Sequence, residues 1–137
     1  MIALVAQRRR PAAPANPSSY DAPAQLDRDD FERPDAPWLV VVFSSATCDS
    51  CAGVWARAQP LRSEHVAVVE AEAARDSDLH QRYGIEAVPI TVVADGEGVV
   101  RRSFVGPVSS THLWAALAEL REPGSVPEGC EGGEPSD

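Results

Sequence analysis

Trp38-Leu-Val-Val-Val-Phe43 is an unbroken apolar run rich in β-branched residues. After four intervening residues, Cys48-Asp-Ser-Cys51 opens an alanine-rich stretch. Continuous rather than alternating apolarity marks a strand covered on both faces, as in a parallel sheet between helical layers. The polar turn Ser44-Ser-Ala-Thr47 then leads into a helix read from Cys48 to about Glu64, with Val54, Ala58 and Leu61 on one face. Pro60 should kink this helix or end its regular part, because proline lacks an N–H and its ring crowds the preceding turn. A doubly buried strand feeding directly into a helix commits the chain to a layered α/β architecture.

The remaining pattern agrees. His65–Val69 reads as a second strand and Arg75–Tyr83 as a helix closed by Gly84. Val88–Val93 is a third apolar run. Asp95-Gly-Glu-Gly98 is a hairpin turn into Val99–Val105. Ser109 or Ser110 can cap a last helix to Arg121, with Leu113, Leu117 and Leu120 on its inner face. The order of elements predicts a mixed central sheet with helices on both faces: a parallel pair joined by a right-handed crossover, and antiparallel strands at one edge. Leu26–Glu32 is short and charged, enough for a brief edge strand or one helical turn.

These elements occupy residues 26–122 of a 137-residue chain, which is one domain with tails. Residues 8–25 carry Pro11, Pro14, Pro17 and Pro23 and read as an extended linker. The start, Met1-Ile-Ala-Leu-Val-Ala6 followed by Gln7 and Arg8-Arg9-Arg10, has two readings. One is a disordered beginning. The other is the end of a truncated membrane helix, whose arginines would place the domain at the cytoplasmic face. Residues 123–137 form an acidic, Gly- and Pro-rich tail expected to be disordered. A formal charge of −9 argues against a nucleic-acid partner. No P-loop or dinucleotide fingerprint is present, and no cofactor is expected.

The three cysteines, Cys48, Cys51 and Cys130, do not make a structural disulfide framework, which normally shows an even set in a small secreted chain. A zinc site would need further ligands, and His65, His80 and His112 form no second pair with metal-ligand spacing. A dithiol at the start of a helix reads as redox-active instead, with metal binding and an inert structural disulfide as the rival readings. Residues i and i+3 are close enough for their sulfurs to bridge. A first cysteine at the helix N-terminus meets free N–H groups that stabilise its thiolate, making it the attacking sulfur. A second cysteine one turn in is more buried and resolves the mixed disulfide. Asp49 acts the other way on Cys48, since a neighbouring carboxylate disfavours the thiolate. A less favoured reduced form makes the couple more reducing. Trp38 and Trp55 are read as packing residues, and His80 and His112 as solvated helix positions.

From Leu26 to Glu122 the chain resembles the thioredoxin family. The resemblance rests on the strand before Cys48-Asp49-Ser50-Cys51, on Arg82-Tyr-Gly-Ile-Glu-Ala-Val-Pro89, on Gly96 and Gly98 at the hairpin, and on Val105-Gly106 before the last helix. It implies a thioredoxin-like fold and a cis Pro89 beside the dithiol. The Val88 backbone would then be able to pair with an extended substrate, in a groove walled by Thr47, Val88 and Gly106-Pro107. It implies a thiol-disulfide oxidoreductase of the protein disulfide reductase type, with Cys48 and Cys51 catalytic, acting on a protein disulfide with an unidentified electron donor. The alternative is a thioredoxin-like binding or redox-sensing module without general turnover.

The departures from the family pattern are specific. Thr47 stands where the family has Trp, and Asp49-Ser50 where it has Gly-Pro. Val42 takes the place of a buried Asp, and Glu70 that of the Lys paired with it. Glu70 is the one candidate for the missing proton acceptor; the other reading makes it an exposed strand-end glutamate.

Overall fold

The computed structural model of the protein describes residues 22–124. Four strands, β1 (Trp38–Ser44), β2 (Val66–Glu72), β3 (Ile90–Ala94) and β4 (Val100–Val105), form a sheet in the order β2-β1-β3-β4. β1 and β2 are parallel; β1–β3 and β3–β4 are antiparallel. Three helices accompany them: α1 (Cys51–Ala58), α2 (Ser77–Arg82) and α3 (Ser110–Arg121). This is the mixed α/β sheet expected from the order of the apolar runs.

β1 is central, and Leu39 to Phe43 have no exposed surface. Its alternate residues serve opposite faces, as the pleat requires. Val40 and Val42 pack with Val54, Ala58, Leu61, Leu113 and Leu117, so α1 and α3 cover one face. Trp38 and Trp55 pack at the rim of this cluster, as expected of them. Leu39, Val41 and Phe43 face the other way, toward Leu26, Phe31, Leu79, Tyr83 and Ile85. On that side α2 shares the covering role with the segment before β1.

That segment, read as a short strand or a turn, is a little of each. Gln25 bridges Val99, and Arg28–Asp30 is a single 3-10 turn. Tertiary bonds hold it down. The buried Arg28 guanidinium donates to the carbonyls of Arg33, Ala36 and Asp95. The Tyr83 hydroxyl donates to Asp30, which also pairs with Arg82, and accepts from the Asp27 N–H at 2.9 Å. Burial, with the bond to Asp30, pushes the Tyr83 pKa up to about 12. Gly98, at φ 84°, lies against the Leu26 carbonyl with no room for a Cβ, so only glycine suits that point of the hairpin.

Several boundaries differ from the sequence reading. α1 begins at Cys51 rather than Cys48 and ends at Ala58. Pro60 falls in a 3-10 turn, Gln59–Leu61, so it ends the regular helix well short of Glu64. β2 runs on to Glu72 instead of stopping at Val69. α2 is confined to Ser77–Arg82. Ser109 is the cap of α3, accepting from the His112 N–H at 3.1 Å. His80 is half-buried rather than solvated. Its Nε2 lies 2.8 Å from the Ala71 carbonyl, and its ring meets Phe43 edge-on. Among the described residues no helix is long and apolar enough to cross a membrane. The readings of residues 1–21 and of the tail from residue 125 lie outside the described residues.

Candidate active site: a dithiol turn at one end of the sheet

The register of the sheet assembles the site. Phe43 pairs with Ala71 on one side and Ile90 on the other, and Ile90 pairs with Val105. These four residues lie abreast, with neighbouring strands about 4.8 Å apart. The segments leaving this row therefore emerge at one end of the sheet: Ser44–Ser50 after β1, Glu72–Asp76 after β2, Val88-Pro89 before β3 and Gly106-Pro107 after β4. Thr47, Val88, Pro89 and Gly106, singled out from the resemblance, all belong to them.

Cys48 and Cys51 are joined as a disulfide with Cα atoms 5.4 Å apart. Cys48 lies in the turn ahead of α1, which corrects the expectation that it opens the helix. The turn is built from backbone bonds, Cys48 N–H to Ser45 O at 3.1 Å and Cys51 N–H to Cys48 O at 3.3 Å. Cys51 is the first helical residue and is only 2 % exposed, whereas Cys48 is partly exposed. The two cysteines thus differ in access. The Ser50 hydroxyl lies 3.9 Å from Cys48 Sγ, and the Asp49 side chain is exposed beside it.

The Val88–Pro89 peptide bond is cis and Pro89 is buried. The Pro89 carbonyl accepts from the Gly106 N–H at 2.8 Å, which ties the β3 and β4 loops together. Gly106 has φ 99°, a conformation that suits glycine. Val88 is half-buried and precedes β3, so its backbone lies outside the sheet ladder. Thr47 is exposed, its hydroxyl 3.1 Å from that of Ser45. Beside Gly106, Val105 is 49 % exposed, an apolar contact that the sequence reading passed over as strand.

Glu70 stands next to Val42 in the register, on the α1 face of the sheet. It is half-buried, and the buried Ser44 hydroxyl donates to its Oε2 at 2.7 Å. It is not the exposed strand-end residue of the alternative reading. Sequence reasoning also missed Glu72, because β2 was not expected to extend that far. The Glu72 carboxylate accepts from the N–H groups of Ala46 at 2.9 Å, Arg75 at 2.9 Å and Ala74 at 3.2 Å. With the Ala73 N–H donating to Ser44 O at 2.8 Å, it clamps the dithiol turn to the β2–α2 connection.

Bonds from Arg75, Ala46 and Ala74 hold the Glu72 carboxyl below its ordinary value. The clamp is therefore complete above the unfolded glutamate pKa and is lost as pH falls through the lower folded one. Amide exchange at Ala46, Ala74 and Arg75 should speed up in acid beyond its intrinsic pH dependence, and should be fast at every pH in Glu72→Ala. Protection that persists in the variant would remove the clamp. Among the described residues no cluster of His, Cys, Asp and Glu could hold a metal ion.

No family model and no curated protein matches the sequence. Solved structures do. The germline-specific thioredoxin Deadhead of Drosophila melanogaster superposes with a TM-score of 0.56 at 21 % identity, over 67 % of this chain and 89 % of that one. Thioredoxin O2 of Arabidopsis thaliana in its oxidised state gives 0.55 at 19 % identity, over 69 % and 89 %. A thioredoxin-fold protein of Helicobacter pylori gives 0.54 at 15 % identity, over 71 % and 84 %. At these identities the likeness speaks for architecture: the chain has the thioredoxin fold, with a Cys-x-x-Cys pair at disulfide distance.

Proposed function

We propose that the chain is a thiol-disulfide oxidoreductase that reduces, or exchanges, disulfides in a protein substrate. The observation that carries this is the pairing of a partly exposed Cys48 with a buried Cys51 in a turn at the same end of the sheet as a cis Val88–Pro89 bond. In the reduced chain the Cys48 thiolate attacks a substrate disulfide, one substrate sulfur leaves as thiolate, and Cys48 is left in a mixed disulfide. Cys51 gives up its proton and attacks Cys48 Sγ. The second substrate sulfur leaves as thiolate, and the chain ends as the Cys48–Cys51 disulfide. A dithiol electron donor returns it to the reduced form.

An extended substrate is held by the Val88 backbone, between the Thr47 and Gly106 walls. Asp49 disfavours the Cys48 thiolate by like-charge repulsion and so makes the couple more reducing. Insulin reduction driven by dithiothreitol tests the reading. Wild type should precipitate insulin well ahead of the reagent alone, and Cys48→Ser should do no better than the reagent. Equal rates for the two proteins would leave a binding or sensing module instead.

Within this mechanism Glu70 takes the Cys51 proton. The support is its place beside Val42, its partial burial and the Ser44 bond that fixes its carboxylate. Glu70→Gln should slow release of substrate from the Cys48 mixed disulfide by about 10- to 100-fold and flatten its pH profile. An unchanged rate and profile would remove this role.

A further inference from the structure

β2 is the last strand of the sheet on its side among the described residues. An end strand ordinarily presents a row of unpaired N–H and C=O groups on which another chain can add a strand. The parity of the bonds shows which residues of β2 make that row. The His65 carbonyl accepts from Trp38 N–H and the Ala73 N–H donates to Ser44 O, so residues 65 and 73 turn toward β1. Backbone groups alternate along a strand. Ala67, Val69 and Ala71 therefore also turn inward, and Val66, Val68, Glu70 and Glu72 turn outward.

The outward carbonyls are occupied one after another. The Val66 carbonyl accepts from the Ser63 N–H at 3.0 Å and from Arg33 Nη1 at 3.1 Å. The Val68 carbonyl accepts from Arg62 Nη2 at 2.8 Å, and the Glu70 carbonyl from Arg75 Nη2 at 2.7 Å. The Glu72 N–H donates to Asp76 Oδ2 at 2.9 Å, and its carbonyl accepts from the Asp76 N–H at 2.7 Å. Three guanidinium groups from three separate segments thus take three successive outward carbonyls. Arg33 is placed for this by φ 55°, a conformation that residues with side chains seldom adopt, and also reaches the Ser63 and Glu64 carbonyls. Val66 and Val68 have no exposed surface although they lie in an end strand, their side chains packing in the cluster under α1 and α3.

We propose that Arg33, Arg62 and Arg75 close the β2 edge against strand addition, and that the partner they exclude is a second copy of this chain. A planar fork of fixed donors suits carbonyl capping, and its charge repels the same group on an approaching copy. The excluded pair is self-complementary. An antiparallel two-fold pairing centred on Val69 sets Glu70 opposite Val68 and Glu72 opposite Val66, so no glutamate faces its own copy.

Sedimentation velocity of Arg33→Ala/Arg62→Ala/Arg75→Ala across rising concentrations tests this. The variant should shift from one chain toward two or more while wild type stays monomeric. Amide exchange at Val68 and Glu70 should slow as the variant associates. A purely structural role for the arginines would lower stability without changing the oligomeric state. A folded variant that stays monomeric overturns the proposal, and so does association that leaves the Val68 and Glu70 amides unchanged. If the triple variant does not fold, Arg62→Gln and Arg75→Gln are measured singly. Each should associate more than wild type, and monomeric behaviour in both overturns it. Neither readout depends on disulfide reduction.

Discussion

Cys51→Ser is expected to accumulate covalent adducts with protein substrates, each joined through Cys48 and released by dithiothreitol. The reasoning is chemical. Cys48 is the accessible sulfur and can still attack a disulfide, but a serine hydroxyl at position 51 is not a nucleophile toward sulfur near neutral pH. Turnover stops at the mixed disulfide. Steady-state reduction should fall to the level of the reagent thiol, while adduct yield rises from near zero to a large share of the protein. Peptide mapping should place the linkage at Cys48. Adducts at Cys130 instead, or none at all, would mean that the Cys48–Cys51 pair does not work by attack and resolution. Cys48→Ser should form no such adducts, which separates the two sulfurs by role.

Phe43→Ala should produce the largest loss of stability. Phe43 is fully buried at the end of β1. Its ring centroid lies 5.6 Å from His80 and 6.3 Å from Tyr83, and Tyr83 in turn stacks on Phe31 at 6.1 Å. Removing the ring loses its transfer energy and leaves a cavity where β1, α2 and the segment before β1 meet, at a cost of about 3–5 kcal/mol. Against a typical total of about 5–15 kcal/mol, that is enough to unfold a large fraction of the chain on mild heating. Urea titration reads it as a lower midpoint at unchanged slope. A loss below about 1 kcal/mol would show that this face repacks around the gap.

The parts of the fold legible in the sequence were those written in local pattern. The run Trp38–Phe43 read as a doubly buried strand, and Val54, Ala58 and Leu61 as one apolar face. The motif around Pro89 carried the cis bond through resemblance. What escaped depended on partners far away in the chain. The segment before β1 takes its shape from Arg28 reaching Asp95 and from Asp30 meeting Tyr83, 53 residues on. Glu70-Ala-Glu72 looks too polar to continue an apolar strand. Yet Ser44 and Ala46 hold its two carboxylates, and the strand runs through. The helix start moved from Cys48 to Cys51 for a similar reason. The Cys-x-x-Cys spacing suits a turn closed by an i to i+3 bond as well as it suits a first helical turn.

The supports of the dithiol turn do not include the sulfur–sulfur bond alone. Its shape is also held by the backbone bonds at Ser45, Cys48 and Cys51 and by the Glu72 carboxylate on Ala46, none of which involves a sulfur atom. The oxidised and reduced chains should therefore share nearly one conformation. Each cycle of electron transfer would then move two sulfurs and a proton and leave the scaffold in place, so the cost of reorganisation between the two redox forms is small.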